Sequence, residues 1–349
     1  MSGNLCQAEA IYSRITKKKI FAIVILLLLF VLLFFSSLTV GTSGIDLKVL
    51  LSTLFGQGQN VIANIIILNV RLPIALMAVL VGSALAVGGC AMQTILKNPM
   101  ASPYTLGIAS AAAFGAALGI VLDINIVYVP KTLLITANSF IMALFASTLI
   151  YIFASNGAVG KNLIILFGIA LNFVFGALTM FLQYIADESK LQSLIFWSFG
   201  SLLRASEEKL GFMLIILSIC FYFLYKKAWL LTALTFNDQK AISLGVDVYK
   251  VRRLVIIMVS LITATAVCFV GTIGFVGLIA PHLARSMVGD DNRFLLPTAA
   301  LLGAVILSAA SILSRLIVPG TVLPIGLITS LIGIPFFMLL IFKNRKGRI

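Results

Sequence analysis

Long apolar runs alternate with short clusters of Lys, Arg, Asn and Gly along almost the whole chain. A run of roughly 20 apolar residues spans the ~30 Å hydrocarbon layer of a bilayer as a helix, because a helix satisfies its own backbone groups there. By that measure residues 20–40, 72–95, 104–122, 133–154, 162–185, 210–227, 295–317 and 324–342 each predict one span. A glycine-interrupted apolar stretch between Arg253 and Gly289 reads as one crossing or two. Basic clusters flank the whole array, Arg14 with Lys17, Lys18 and Lys19 at one end and Lys343, Arg345, Lys346 and Arg348 at the other. Both termini therefore belong on the cytoplasmic side, the number of crossings is even, and the total is ten. The extra crossing falls near 275–287, where Pro281 interrupts a short run; a re-entrant segment is the alternative. Residues 61–69 predict an outer interfacial segment or an extension of the second helix. Residues 191–203 predict a short outer helix with Trp197 at headgroup depth. The first run exceeds the roughly 7–15 residues of a signal-peptide core and reads as an uncleaved span.

Composition agrees with this pattern. Of 349 residues, 61% are hydrophobic and 10% charged, which excludes an ordinary soluble domain. The expected unit is a single transmembrane domain over 1–349, with 1–19 as a cytoplasmic N-terminal segment. The net charge of +14 invites a nucleic-acid partner, but 18 of the 25 Lys and Arg fall in connections assigned to the cytoplasm and seven outside. That asymmetry is topological.

The residue types that are scarce narrow the chemistry. No Asp or Glu falls deep in a predicted span, whereas ion-coupled carriers keep ionisable groups near mid-membrane. Four scattered cysteines and the lone His282 offer neither a disulfide framework nor a metal cluster, so His282 is expected to be structural. Gly157-Ala-Val-Gly-Lys161 superficially resembles a phosphate loop, but Ser155 stands where its first glycine belongs and Asn162 replaces the magnesium-binding Ser or Thr. Energy must enter from another subunit.

Small residues mark helix contacts, because close backbone approach rather than apolar burial joins helices in lipid. Gly115 and Gly119 form a Gly-x-x-x-Gly pair, Gly82 pairs with Ala86, and Gly168, Asn172 and Gly176 share a face. Asn172 needs a polar partner or a wet path. Gly271, Gly274 and Gly277 predict a hinge or a tight crossing.

Three blocks carry a family resemblance: Arg71-Leu72-Pro73 through Gln93 and Lys97-Asn98-Pro99 to Gly107, Gly271 through Pro281 to Arg285, and Leu323-Pro324-Ile325-Gly326. Their order and spacing resemble the permease subunits of ATP-driven importers for iron-siderophores, haem and cobalamin, the FecCD type. The resemblance implies an all-α, ten-helix polytopic fold of the type II importer class, in a bacterial or archaeal cytoplasmic (inner) membrane. It implies two ATP-binding-cassette ATPase subunits, an extracytoplasmic binding protein and a second permease subunit. No cofactor is expected on this chain, with ATP and Mg on the partner subunits. A ferric siderophore is the expected cargo; haem, cobalamin or molybdate, or secondary transport, are the alternatives.

The loop 236–253 combines apolar Ala241, Ile242 and Leu244 with charge. Asn237 or Asp238 caps a short helix, Gly245 ends it, and a second short basic helix starts at Val246. In the resembled family this loop couples to the ATPase, which nominates Asp238, Ala241, Leu244, Gly245 and Lys250. The resemblance also nominates Arg71 and Arg315 to pair with binding-protein glutamates, guanidinium forks being suited to carboxylates. Gln93, Asn98 and Pro99 are expected in helix packing or along the pathway. The chain departs from the family pattern at Ile74, Ser311 and Val322, where Arg, Asp and an acidic residue are common.

Overall fold

The computed structural model describes residues 2–41, 46–56, 60–130, 133–155, 160–318 and 320–346. Residues 157–159 of the glycine turn, and Arg348, lie outside the described residues. The helices in chain order are α1 (Ser2–Thr39), α2 (Leu47–Leu54), α3 (Val61–Ile65), α4 (Leu72–Leu96), α5 (Ile108–Val121), α6 (Leu134–Ser155), α7 (Lys161–Ile185), α8 (Glu188–Ser198), α9 (Glu207–Lys226), α10 (Ala228–Thr235), α11 (Asp238–Ser243), α12 (Val248–Val270), α13 (Val276–Val288), α14 (Asn292–Leu316) and α15 (Ile325–Lys346).

A π-helical turn, Ile66–Arg71, joins α3 to α4, so residues 61–96 form one 36-residue apolar helix. Of the two readings of 61–69, the extension is correct. Among the described residues, α1, the α3–α4 helix, α6, α7, α9, α12 and α14 are long and apolar enough to cross a membrane. α5 and the first part of α15 are shorter apolar helices, and α13 has 13 residues.

Contacts between remote residues orient the bundle. Lys97, after α4, and Lys161, opening α7, both meet Asp238 at the start of α11. Arg71 meets the last carbonyls of α1. These landmarks define a Lys97 end and an Arg71 end. Arg315, closing α14, lies with Arg71, and the α8 region joins them because the Ile325 amide donates to the Gly200 carbonyl.

The two shortest crossings are completed by backbone that is not helical. Before α5, residues 98–107 run inward from the Lys97 end until Leu106 packs on Gly168 and Gly107 on Leu171 of α7. α5 covers the remaining depth and ends where the Val121 carbonyl accepts from Lys190 of α8. Before α13 the arrangement is inverted. Gly271 abuts the Trp197 carbonyl at the Arg71 end, residues 271–275 descend without helix, and α13 begins beside Gly89 of α4. It finishes at the Lys97 end, where Arg285 pairs with Asp290. Residues 271–288 thus run from the Arg71 end to the Lys97 end of the bundle. Non-helical backbone at membrane depth is tolerated because protein surrounds it: Ile273 and Val276 are buried. Both helices start from a residue of positive φ, Gly107 at 84° and Phe275 at 66°. For a phenylalanine that conformation costs about 1–3 kcal/mol.

α4 is the axis of the bundle, buried along nearly its whole length against α14, α12 and α13. α1 lies outside against α14, with much of its apolar surface exposed, as a lipid-facing span requires. Trp197 lies at the Arg71 end with its ring buried, because α8 packs onto α5.

Candidate functional site

At the Lys97 end α9 gives way to α10 and then α11, a pair of short helices lying between two spans. Asn237 precedes α11 with extended backbone but makes no side-chain cap. Asp238 instead turns inward and gathers three cations from three spans. Its carboxylate lies 2.8 Å from Lys161 Nζ, 3.1 Å from Lys97 Nζ and 3.3 Å from Arg252 of α12. Lys97 also donates to the Phe236 carbonyl. Partial burial pushes the Asp238 carboxyl up, but hydrogen bonds and charge from Lys161 and Lys97 outweigh this and hold it down at about 2.

The remaining nominated residues divide by direction. Ala241 is fully buried, where it seats α11 on its neighbours and cannot meet a partner. Leu244 and Ile242 are exposed, alongside Phe236 and Tyr249. Gly245 ends α11 at φ 80°, the left-handed conformation that glycine adopts without penalty. The second short helix is absent as a separate element: Asp247 caps α12 itself by accepting from the Lys250 amide, so Val248 begins a membrane span. Lys250 is exposed and pairs with Asp247 at 3.0 Å.

Gln93 is buried and bridges two spans. Its amide donates to the Leu278 carbonyl of α13 and its oxygen accepts from Arg285. Asn98 closes the turn after α4 by accepting from the Met100 amide, with Pro99 inside that turn.

At the opposite end the two nominated arginines do come together, though not as a free docking pair. Arg71 is only 5% exposed, and its Nη1 donates to the Leu38 and Thr39 carbonyls at 2.8 and 2.7 Å. Arg315 Nη1 donates to the Ser37 and Val40 carbonyls, while its Nε is held by Ser311. A helix leaves its last four carbonyls without intrahelical partners, and cations favour that end of the helix dipole. The two guanidiniums thus cap α1, a commitment that the arginines' positions in sequence did not reveal.

A family model for the FecCD transport family matches residues 27–343. The chain belongs to that family. It is 38% identical over 316 residues to the hemin transport system permease protein HmuU of Yersinia pestis, covering 89% of this chain and 93% of that one. It is 33% identical over 319 residues to the iron-uptake system permease protein FeuC of Bacillus subtilis, covering 89% and 94%. A solved structure described as an inward-facing conformation of a metal-chelate type ABC transporter superposes with a TM-score of 0.81 at 32% identity, covering 91% of this chain and 97% of that chain. This is an all-α ABC importer permease, a membrane transport component.

Within this permease the small residues mark where spans touch. A Cβ on Gly82 would sit 2.3 Å from the Gly303 carbonyl oxygen, and one on Gly303 would strike Ala86, so the Gly82 and Ala86 pair receives α14. Gly115 packs against the Asn138 backbone of α6, and Gly119 lies near the Asn138 amide. Gly277 and Gly89 join α13 to α4 at backbone distance, whereas Gly274 faces open space and contributes no tight crossing. Gly176 is likewise open. Asn172 is spent on structure: it accepts from Ser110 and donates to the Tyr104 and Thr105 carbonyls, pinning the non-helical entry to α5. Sequence reasoning missed Lys97, Lys161 and Arg252 as partners of Asp238, since each reads as an ordinary basic loop or helix-end residue.

Proposed function

We propose that this permease carries a ferric siderophore, delivered by an extracytoplasmic binding protein, across the cytoplasmic membrane under the drive of two partner ATPase subunits. The Lys97 end faces the cytoplasm in this reading, a polarity supported by the 18 of 25 Lys and Arg assigned there. A second permease subunit, identical or similar, completes the pathway. ATP and Mg reside on the ATPases, and this chain binds no cofactor of its own.

One observation carries the coupling assignment. α11 and the residue that caps it expose Ile242 and Leu244, while Asp238 ties the first turn of α11 to Lys97, Lys161 and Arg252. A push on α11 is thereby passed to three spans at once, the kind of rigid-body shift that alternating access needs. At the Arg71 end the binding protein docks over the capped terminus of α1, and the two arginines hold that surface in shape.

The cargo assignment is supported by relatives named for hemin and iron uptake and by a structural neighbour described as a metal-chelate transporter. A ligand whose metal is already chelated needs a wide neutral path, not ligating side chains. Haem, cobalamin and molybdate are the alternatives within the family. Proteoliposomes holding the permease, its ATPase and its binding protein should take up radiolabelled ferric siderophore only with ATP inside the ATPase compartment. Uptake of haem or cobalamin in its place overturns the cargo, and uptake without ATP overturns the coupling.

A further inference from the structure

A cavity of about 900 Å³ opens at the Arg71 end between α5, α6, α8 and the start of α9. Nothing in the transport reading uses it. Three cations line it, Lys190, Arg204 and Lys209, against a single carboxylate, Asp123. Lys190 takes that carboxylate at 3.2 Å and also donates to the Val121 carbonyl. Arg204 and Lys209 have no carboxylate within ion-pair distance among the described residues.

Arg204 shows the shortfall most plainly. Its Nη2 reaches the Phe196 carbonyl at 3.4 Å and its guanidinium lies 5.9 Å from the Trp197 ring, but its Nη1 is buried with no hydrogen-bond partner. Burial pushes its pKa below the usual guanidinium value. Lys209 donates one proton to the Arg204 carbonyl at 2.8 Å, which leaves two. A buried cation without an anion is costly, and charge-assisted hydrogen bonds to an oxyanion remove that cost. The rest of the wall is mixed: Leu134, Ile135, Phe196 and Phe269 give it an apolar part, beside polar Asn125, Thr136, Ser189, Gln192 and Ser193. Lys209 is the third residue of the α9 span, and Leu134, Ile135 and Phe269 lie within two residues of a span end, so the cations and the apolar part of the wall sit together at the membrane boundary.

We propose that this cavity binds an anionic phospholipid of the Arg71-side leaflet, its phosphate between Arg204 and Lys209 and its acyl chain against Phe196 and Phe269. A free phosphate would satisfy the cations but leave Phe196 and Phe269 uncovered. The bilayer also supplies its own headgroups at this depth.

Trp197 beside the cavity is one of two tryptophans, so a Trp229→Phe variant of the full chain in nanodiscs carries a local reporter. Phosphatidylglycerol with brominated acyl chains should quench Trp197 more strongly than brominated phosphatidylcholine. Two cations that lack an ion-paired carboxylate favour the anionic lipid by on the order of tenfold. Arg204→Gln with Lys209→Gln should bring the two lipids level, while the charge-keeping pair Arg204→Lys with Lys209→Arg should retain the preference and so control for folding. Equal quenching by both lipids, or a preference that survives loss of both charges, overturns the site. Displacement of phosphatidylglycerol by inorganic phosphate, beyond that given by chloride at equal ionic strength, overturns the lipid assignment in favour of a free-phosphate site.

Discussion

The two ends of this permease solve the same problem, cations beside membrane spans, in opposite ways. At the Lys97 end three cations from α4, α7 and α12 converge on the single carboxylate of Asp238. At the Arg71 end two guanidiniums spread over four backbone carbonyls at the end of one helix. The first arrangement concentrates several elements on one small group and makes their positions depend on it. The second shares its load among acceptors that no substitution can delete. A junction that must transmit movement suits the first pattern, and a terminus that must stay in place suits the second.

The largest effect should follow from removing the hub. Asp238→Asn leaves three cations facing one another, so ATP-driven uptake should fall at least about tenfold and thermal stability by about 1–3 kcal/mol. Calorimetry of the detergent-solubilised protein, beside uptake in proteoliposomes, checks both. If coupling persists in a correctly inserted variant, the hub transmits nothing and the contrast between the ends dissolves.

Next in size, and confined to stability, is Arg71→Gln, which strips a charged donor from the Leu38 and Thr39 carbonyls and should cost about 1–2 kcal/mol. Arg315→Gln should cost less, since Arg315 is the more exposed of the two. Accessibility of a cysteine placed at Thr39 should rise in both variants, and no rise would mean that α1 needs no cap.

Acid sharpens the comparison. The Asp238 carboxyl is held at about 2, below its unfolded value of about 3.9. Its contribution to stability is therefore complete above the unfolded value and is lost as pH falls toward 2. The acid slope in thermal stability should shrink in Asp238→Asn and persist in Arg71→Gln, whose partners are carbonyls that do not titrate in this range. Smallest should be Lys250→Ala, within about 0.5 kcal/mol of wild type. Its pair with Asp247 is exposed.

What could be read in advance follows from how local each signal is. Span existence is written in consecutive apolar residues, and the parity of basic ends asked for one more passage near 275–287, where α13 runs from the Arg71 end toward the Lys97 end. The glycines at 82 and 115 announced close contacts, but their partners Gly303 and Asn138 lie far away in sequence or carry no small-residue signature. The burial of Trp197 was not legible, because an aromatic residue on a short outer helix gives the same local pattern whether its ring faces lipid or the neighbouring helix. The second coupling helix failed because Asp247 caps a long span as readily as a short helix. Asp238 was legible as a helix-start residue. Its cations were not, since Lys97 and Lys161 look like ordinary basic residues at span boundaries until the fold gathers them.

The short α13 also bears on how the chain is built. An insertion machinery that releases segments into lipid as they emerge from the ribosome meets thirteen residues preceded by the non-helical stretch 271–275. That is well short of the roughly 20 that partition unaided, and backbone left bare to hydrocarbon is not tolerated. α13 can therefore settle only against protein already present, and Gly89 of α4 supplies the backbone-close seat for Gly277. Because α4 and α12 are synthesised earlier, the order of translation delivers the seat before its occupant. A circular permutation that made α13 before α4 would strand a segment able neither to enter the bilayer alone nor to wait in water, which makes gene order itself a requirement of this architecture.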